Sequence, residues 1–305
     1  MSGFALCLRR RNSICAASLL FLAGALFAGG SIDLSAQSIA PDYLTGLSWR
    51  SIGPYRSGYT AAVAGIPGDP TTYYVAMPAG GIWKTSSGGT VWNPVFDQTH
   101  VASVGAISVA PSDHNVVYAG TGDASGWSFT PGKGVYKSID AGNTWTNVGL
   151  EDTRYIDAMI VDPRNADVVL VGSFGAALTG GPASTARGVY RTTDGGTTWA
   201  KVLYIDAYTG VKAMTFDASD PSIVYASFQR GVNGVSRTEL DSLASIGSGL
   251  FKSTDGGASW KSLQGTGLPA GQSGFEIAVA SGTHGQRVYV EARGAGRDAG
   301  GIYRS

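Results

Sequence analysis

From about residue 60 onward the apolar residues come in short runs, with no helical period between them. In one stretch Gly105–Ala110 is followed by Val116–Gly120. The next has Ala158–Val161 and Val168–Val171, and a third has Ala213–Phe216 and Ile223–Ala226. Turn chemistry such as Asp69-Pro70, Asp162-Pro163 and Asp220-Pro221 lies between or beside the paired runs. A further apolar triplet follows each pair: Gly81-Ile82-Trp83, Gly134-Val135-Tyr136, Gly188-Val189-Tyr190, Gly249-Leu250-Phe251 and Gly301-Ile302-Tyr303. These are spaced 53, 54, 61 and 52 residues apart. With a last short run around each Trp described next, the pattern predicts four strands per repeat. The fold expected is all-β, a β-propeller of four-stranded blades with about five blades present. The blades fall near 54–97, 98–150, 151–204, 205–265 and 266–305.

The third and fourth strands of each repeat are joined by a recurring turn. Thr192-Thr193-Asp194-Gly195-Gly196-Thr197-Thr198-Trp199 is one copy, and Ser253–Trp260 and Ser138–Trp145 are two more. Thr85–Trp92 is a worn copy, with Ser87 where the others have Asp. The hydroxyl and the Asp can fold their oxygens back onto the amides of the turn. The glycines supply the positive φ that the turn demands. Asp140, Asp194 and Asp255, with Trp145, Trp199 and Trp260, are therefore assigned structural work rather than catalysis.

The first 36 residues differ in kind. Arg9-Arg10-Arg11 precedes the apolar stretch Ala16–Ala28, and Leu34-Ser35-Ala36 offers a cleavage point before Gln37. This pattern predicts a secretory signal peptide over 1–36, too short in its apolar part to span a bilayer. A linker over 37–46 and the propeller over 47–305 follow. The expected location is secreted or periplasmic. Both cysteines, Cys7 and Cys15, lie inside the signal, so the mature chain has no disulfide or thiol chemistry. The 305 residues contain 45 Gly, are 14% charged and carry a formal net charge of zero. That balance speaks against nucleic acid as a partner and leaves protein or polysaccharide ligands, with no membrane insertion after signal removal.

Leu47–Gly53 matches the fourth-strand pattern of Ala258–Leu263 without three strands before it. It is expected to act as a closing outer strand. Gly300–Ser305 opens a further repeat, so a five-bladed ring closed by residues 47–53 and a piece of a larger ring are both open readings. Loops between the second and third strands differ most: near Pro78–Gly80, then Thr121–Lys133, Ser173–Arg187, Phe228–Ser248 and Glu291–Gly300. Insertions confined to one face mark the expected binding face.

The turn copies resemble the Asp-box, or BNR, repeat S-x-D-x-G-x-T/S-W. The span from Trp49 to Ser305 looks most like sortilin N-terminal-type propellers in bacterial secreted proteins, within a group that includes xyloglucanase-like and sialidase-like members. Gly120–Asp123 and Gly132–Ser138 carry that likeness. The resemblance implies a propeller with its Asp-box turns opposite the ligand face. It does not imply an activity, because one fold hosts many functions. Among xyloglucanase-like members a catalytic Asp stands in a Thr-Asp-x-Gly-Gly stretch. Here that stretch is Met77-Pro78-Ala79-Gly80-Gly81, with Pro78 in the Asp place. Sialidases use an arginine triad and a Phe-Arg-Ile-Pro motif; Arg56 in Tyr55-Arg56-Ser57-Gly58 is the nearest stand-in.

A glycosidase needs two carboxylates flanking one bond, and the candidates are Asp123, Asp157 and Glu276. For ligand binding, aromatic and basic residues on the variable face are the candidates: Trp127, Phe129, Arg154, Tyr155, Tyr208 and Arg230, with Lys212 nearby. Trp127 and Phe129 could equally pack their own loop. Glu276, Glu291 and Arg293 could line the channel or pair among themselves. His100, His114 and His284 have no ligand spacing, and no cofactor or metal is expected. The function expected is a binding module for protein or polysaccharide. A glycoside hydrolase and a protein assembly factor are the alternatives, and the missing motifs weigh against an enzyme.

Overall fold

A computed structural model describes residues 59–124, 130–175, 183–230, 249–263, 265–268, 274–283, 287–293 and 300–305. The chain divides into two compact units, Met1–Arg50 and Ser51–Ser305, and every described residue belongs to the second. The signal peptide, the linker and the closing strand 47–53 lie outside the described residues. Among those described, no helix is long and apolar enough to cross a membrane.

The described unit is a propeller built from successive antiparallel sheets. The first contains β1 (Ala62–Ile66), β2 (Asp69–Met77), β3 (Gly81–Thr85) and β4 (Asn93–Pro94). The second contains β5 (Val104–Val109), β6 (Val117–Thr121), β7 (Val135–Ser138) and β8 (Thr146–Asn147). The third has β9 (Ile156–Val161), β10 (Val169–Ser173), β11 (Gly188–Thr192) and β12 (Ala200–Leu203). The fourth has β13 (Thr209–Phe216), β14 (Val224–Arg230), β15 (Gly249–Ser253) and β16 (Lys261–Ser262). The fifth sheet has three strands, β17 (Gly274–Val279), β18 (Val288–Arg293) and β19 (Gly301–Arg304). In each, sequence neighbours pair in order, as short strands joined by tight turns should. The inner strands β1, β5, β9, β13 and β17 pack side by side in succession.

Sheets meet through apolar side chains of facing surfaces. Between the first and second sheets, Tyr74, Ile82, Phe96, Val117, Ala119 and Tyr136 are buried together, with Val95 and Trp145 against them. Trp145 stands edge-on to Phe96, ring centres 5.1 Å apart. The same positions recur between the second and third sheets, where Trp199 packs with Tyr118, Val135 and Val148. Trp260 does so between the third and fourth, with Leu170 and Val189. The indoles also tie sheet to sheet: Trp145 Nε1 donates to Val95 O at 2.8 Å and Trp199 Nε1 to Val148 O at 2.8 Å.

The Asp-box turns place those indoles. Ser138 Oγ accepts from Gly142 N at 2.8 Å, while Asp140 Oδ1 accepts from Thr144 N at 2.8 Å and Oδ2 from Thr144 Oγ1 at 2.6 Å. Asp194 and Asp255 repeat the arrangement on Thr198 and Ser259. These hydrogen bonds to the ionised form hold all three carboxyls at about 2. The second glycine of each box has a positive φ, and in the third and fourth sheets the preceding sheet also lies against it. A Cβ on Gly257 would stand 2.3 Å from Leu170 Cδ2, and one on Gly196 would stand 2.9 Å from Val148.

Cross-strand pairs of Tyr with Lys repeat beside the turns. Tyr74, Tyr118 and Tyr225 lie opposite Lys84, Lys137 and Lys252, with each ammonium 5.3 to 5.4 Å from the ring centre. Where Leu170 replaces the Tyr, Arg191 Nε donates instead to Gly256 O of the next box at 3.0 Å.

Candidate functional site

The inner strands begin, and the second strands end, at the edge of the sheets opposite the Asp boxes. At that edge three inner strands carry a bulge at the same repeat position. Pairing skips Gly105 in β5, Asp157 in β9 and Lys212 in β13. A bulge leaves one residue out of the ladder and re-aims its side chain. Asp157 and Lys212, on neighbouring strands, thereby meet: Lys212 Nζ lies 2.7 Å from Asp157 Oδ2. At the first of the three positions there is room for glycine and nothing larger, since a Cβ on Gly105 would stand 2.3 Å from Gly122 O and 2.5 Å from Ile156 O.

Gly122–Ala124, directly after β6, meet this pair. Gly122, at φ 81°, turns the chain so tightly that a Cβ would fall 1.8 Å from Arg154 O. Asp123 follows and is buried, and Ala124 N donates to Asp157 Oδ1 at 3.0 Å. Both oxygens of Asp157 are thus engaged, and its side chain is 3% exposed. Burial opposes the charge on Lys212. Asp157, joined by Asp123 and Tyr59, outweighs that effect and raises its pKa above the ordinary lysine value.

A second polar group lies beside it, where the loop ahead of β11 meets the link into β13. Arg187 is buried; its Nη1 donates to Phe174 O at 2.5 Å and its Nε to Ala207 O at 2.8 Å, and the guanidinium lies over the Phe174 ring. Burial lowers its pKa to about 10, against the opposing pull of Asp206 and Tyr204. Asp206 also faces Arg230 at 3.5 Å and accepts from Tyr208 N at 2.7 Å and Thr209 Oγ1 at 3.1 Å.

The structure thus brings Asp123 and Asp157 together around Lys212, and Tyr208 and Arg230 together around Asp206. Glu276 stands apart on β17, half-buried and directly opposite Glu291 on β18. Tyr155 is turned inward, buried with Ala124 and Phe174, so it supports the loop instead of facing a ligand. Arg230 is likewise buried, held by Asp206. Arg154 is exposed, in the left-handed region at φ 54°. Trp127 and Phe129 lie outside the described residues. Asp140, Asp194 and Asp255 sit on the far edge in their turns. Among the described residues no group of three or more His, Cys, Asp or Glu could hold a metal.

Arg187 was not singled out from the sequence, though its place just ahead of a strand-opening glycine marks the end of a variable loop. A repeat alignment would also have put Gly105, Asp157 and Lys212 in one column. Chemically, the first group is a Lys212–Asp157 ion pair that also takes the amide of Ala124. Asp157 has one oxygen on the amide of Ala124 and the other on the Lys212 ammonium.

Comparisons with known proteins agree with this architecture. The family model Sortilin-Vps10, described as sortilin, neurotensin receptor 3, matches residues 133–297, more than half of the chain. A xyloglucanase of Hypocrea jecorina is 25% identical over 249 residues, covering 72% of this chain and 28% of that protein. A xyloglucanase of Acetivibrio thermocellus is 23% identical over 212 residues, covering 63% of this chain and 24% of its own length. The chain therefore spans 28% of the first of these relatives and 24% of the second. Among solved structures, the GH74 xyloglucanase of Xanthomonas campestris superposes with a TM-score of 0.56 at 20% identity, covering 84% of this chain and 37% of that one. The GH74 enzyme of Niastella koreensis gives 0.57 at 17%, covering 80% and 36%. These structural matches are a likeness of fold.

Proposed function

The chain belongs to the Sortilin-Vps10 family, and we propose that it is a secreted or periplasmic binding propeller. Its ligand, a protein or a polysaccharide, is held on the face that carries the variable loops. The observation that supports binding over hydrolysis is the state of Asp157. Hydrolysis of a glycosidic bond asks for two carboxylates facing a substrate, and Asp157 is spent on Lys212 and on the amide of Ala124. A network of that kind makes a rigid platform for loops, which is what a preorganised binding face requires. Arg154, exposed beside the platform, is available to a ligand.

Hydrolysis is the second reading, favoured by the curated xyloglucanases that align with as much as 72% of the chain. The test applies the purified chain to xyloglucan, bacterial polysaccharides, sialylated glycans and an unstructured peptide library, scoring retention and sugar release together. Retention without release, weakened at least tenfold by Arg154→Ala, is expected. Release that disappears with Asp123→Asn or Glu276→Gln would replace the binding reading with the enzyme. Retention unchanged in a folded Arg154→Ala, Trp127→Ala double variant would move the ligand off this face.

A further inference from the structure

The first and second sheets meet around a lysine that lacks what its counterparts have. Lys84 is half-buried; its Nζ donates to Ala141 O at 2.8 Å and lies 5.4 Å from the centre of the Tyr74 ring. That bond uses one of three N–H groups, and the Tyr74 hydroxyl donates to the same carbonyl at 2.9 Å. Among the described residues no carboxylate forms an ion pair with Lys84. Burial lowers its pKa, with the charge of Asp140 opposing.

Later sheets supply a carboxylate from two places. Lys137, one repeat on, pairs with Asp167 at 3.0 Å. Burial opposes its charge too, but hydrogen bonds to Asp167 and Tyr118 outweigh that effect and the pKa is raised. Gly195 N donates to Asp167 O at 3.0 Å, as Ala141 N does to Asn115 O at 2.8 Å. The Asp167 position beside Lys84 is therefore held by a neutral amide. A further repeat on, the charge of Arg191 acts on Asp162, alongside that of Arg164. The registers Gly65↔Tyr73 and Val161↔Val169 put Ile66 at the Asp162 position of the first sheet. Both sources are missing there.

In place of a carboxylate there is space. Lys84, Tyr74, Asn115 and the Ile66–Asp69 turn line a cavity of about 460 Å³, within the range of about 300–1,000 Å³ usual for ligand pockets. Asp69 lines it and Asp140 acts on Lys84, yet neither bars an anion. Asp113 and Asp194 hold the same two positions around Lys137, which takes Asp167 all the same. We infer that this cavity, on the Asp-box edge, binds the carboxylate of a sugar acid, seated against Lys84 as Asp167 is against Lys137. Thr72, His114 and Asn115 also line the cavity, and their hydroxyl, imidazole and amide suit the hydroxyls of a sugar. The site is separate from the variable-loop face and does not depend on what binds there.

The experiment titrates the full chain with galacturonate, trigalacturonate and galactose, read by ligand-observed nuclear magnetic resonance. Saturable binding of galacturonate is expected, at least tenfold tighter than that of galactose, which has a primary alcohol in place of the carboxylate. Lys84→Met, which keeps the apolar stem, should weaken it at least tenfold. Asn115→Asp, which puts the chain's own carboxylate at the Asp167 position, should abolish it with the parent's circular dichroism kept. Arg154→Ala should leave it unchanged. Tighter binding of trigalacturonate would make a polysaccharide the source of the acid, and equal or weaker binding the free sugar acid; both support the site. Absence of galacturonate binding, equal affinity for galactose, or affinity kept in either folded variant of Lys84 or Asn115 would overturn the assignment. So would a loss in Arg154→Ala, which would move the acid to the variable-loop face.

Discussion

Lys212 and Asp157 stand at the same position of successive repeats, each bulged out of its strand, and the two bulges close an ion pair of 2.7 Å. Neither side chain could reach the other from a regular ladder, where the pleat would turn it to one face of its own sheet. Replacing Lys212 with Met leaves Asp157 buried without its counter-charge. The expected loss is about 2 kcal/mol, below the usual cost of breaking a buried pair because Lys212 is partly exposed. The double variant Asp157→Asn, Lys212→Met should lose less than Lys212→Met alone, and urea denaturation of the three proteins checks this.

That pair also sets an alkaline limit. The folded state raises the Lys212 pKa above its ordinary 10.5. Its contribution to stability is therefore complete below that value and is lost as pH rises through the higher folded pKa. Thermal melts from pH 9 to 12 should fall more steeply for the parent than for the double variant. Identical slopes would remove the pair from the account.

The acid limit comes from the opposite edge. Asp140, Asp194 and Asp255 have folded pKa values of about 2 against an ordinary 3.8, owing first to the hydroxyls and amides of Thr144, Thr198 and Ser259. A depressed carboxyl contributes stability that is present above its unfolded pKa and lost as pH falls through the folded one. Unfolding should thus set in between pH 4 and pH 2. Asp194→Asn should be less stable at pH 7 and show a shallower fall across that window.

The repeats made the propeller legible before any coordinates, because turn and strand chemistry is local: Ser, Asp, Gly and Trp within eight residues specify each hairpin. Asp157 and Lys212 could be named as members of one face, yet their union could not be read, since 55 residues separate them and the bulges that join them carry no marker of their own. Tyr155 shows the same limit from the other side. An aromatic beside Arg154 and Asp157 suggests a ligand surface, but packing against Phe174 and Ala124 decides that it faces inward. Arg187 escaped because a basic residue at a loop end is ordinarily solvated; the two carbonyls it satisfies lie 13 residues before it and 20 after it.

The worn box offers a gain of stability. Thr85 Oγ1 still accepts from Gly89 N at 3.0 Å, and Ser87 Oγ from Val91 N at 2.9 Å. Ser87 has no second oxygen, and Val91, exposed where the others have Thr or Ser, has no hydroxyl to give. The two losses go together. Ser87→Asp alone should add little, whereas Ser87→Asp with Val91→Thr restores the three hydrogen bonds that the Asp194 carboxylate accepts and should add about 1 kcal/mol. A double-mutant cycle by urea denaturation measures the coupling, and strict additivity would refute the shared geometry.

Arg187 ties the end of β10 to the link into β13. Its fork reaches Phe174 O and Ala207 O at once while its plane covers the Phe174 ring. Arg187→Met keeps the apolar stem but strands two carbonyls, and the expected cost is about 3 kcal/mol. Arg187→Lys should recover little of it, because one ammonium cannot reproduce two bonds set at the angle of a guanidinium. Protease should then cut near Ser184–Arg187, where the parent's backbone is bonded to Ala207, with the Asp-box edge still protected. Uniform loss of protection across both edges would mean that Arg187 holds the sheets themselves and not the loop face.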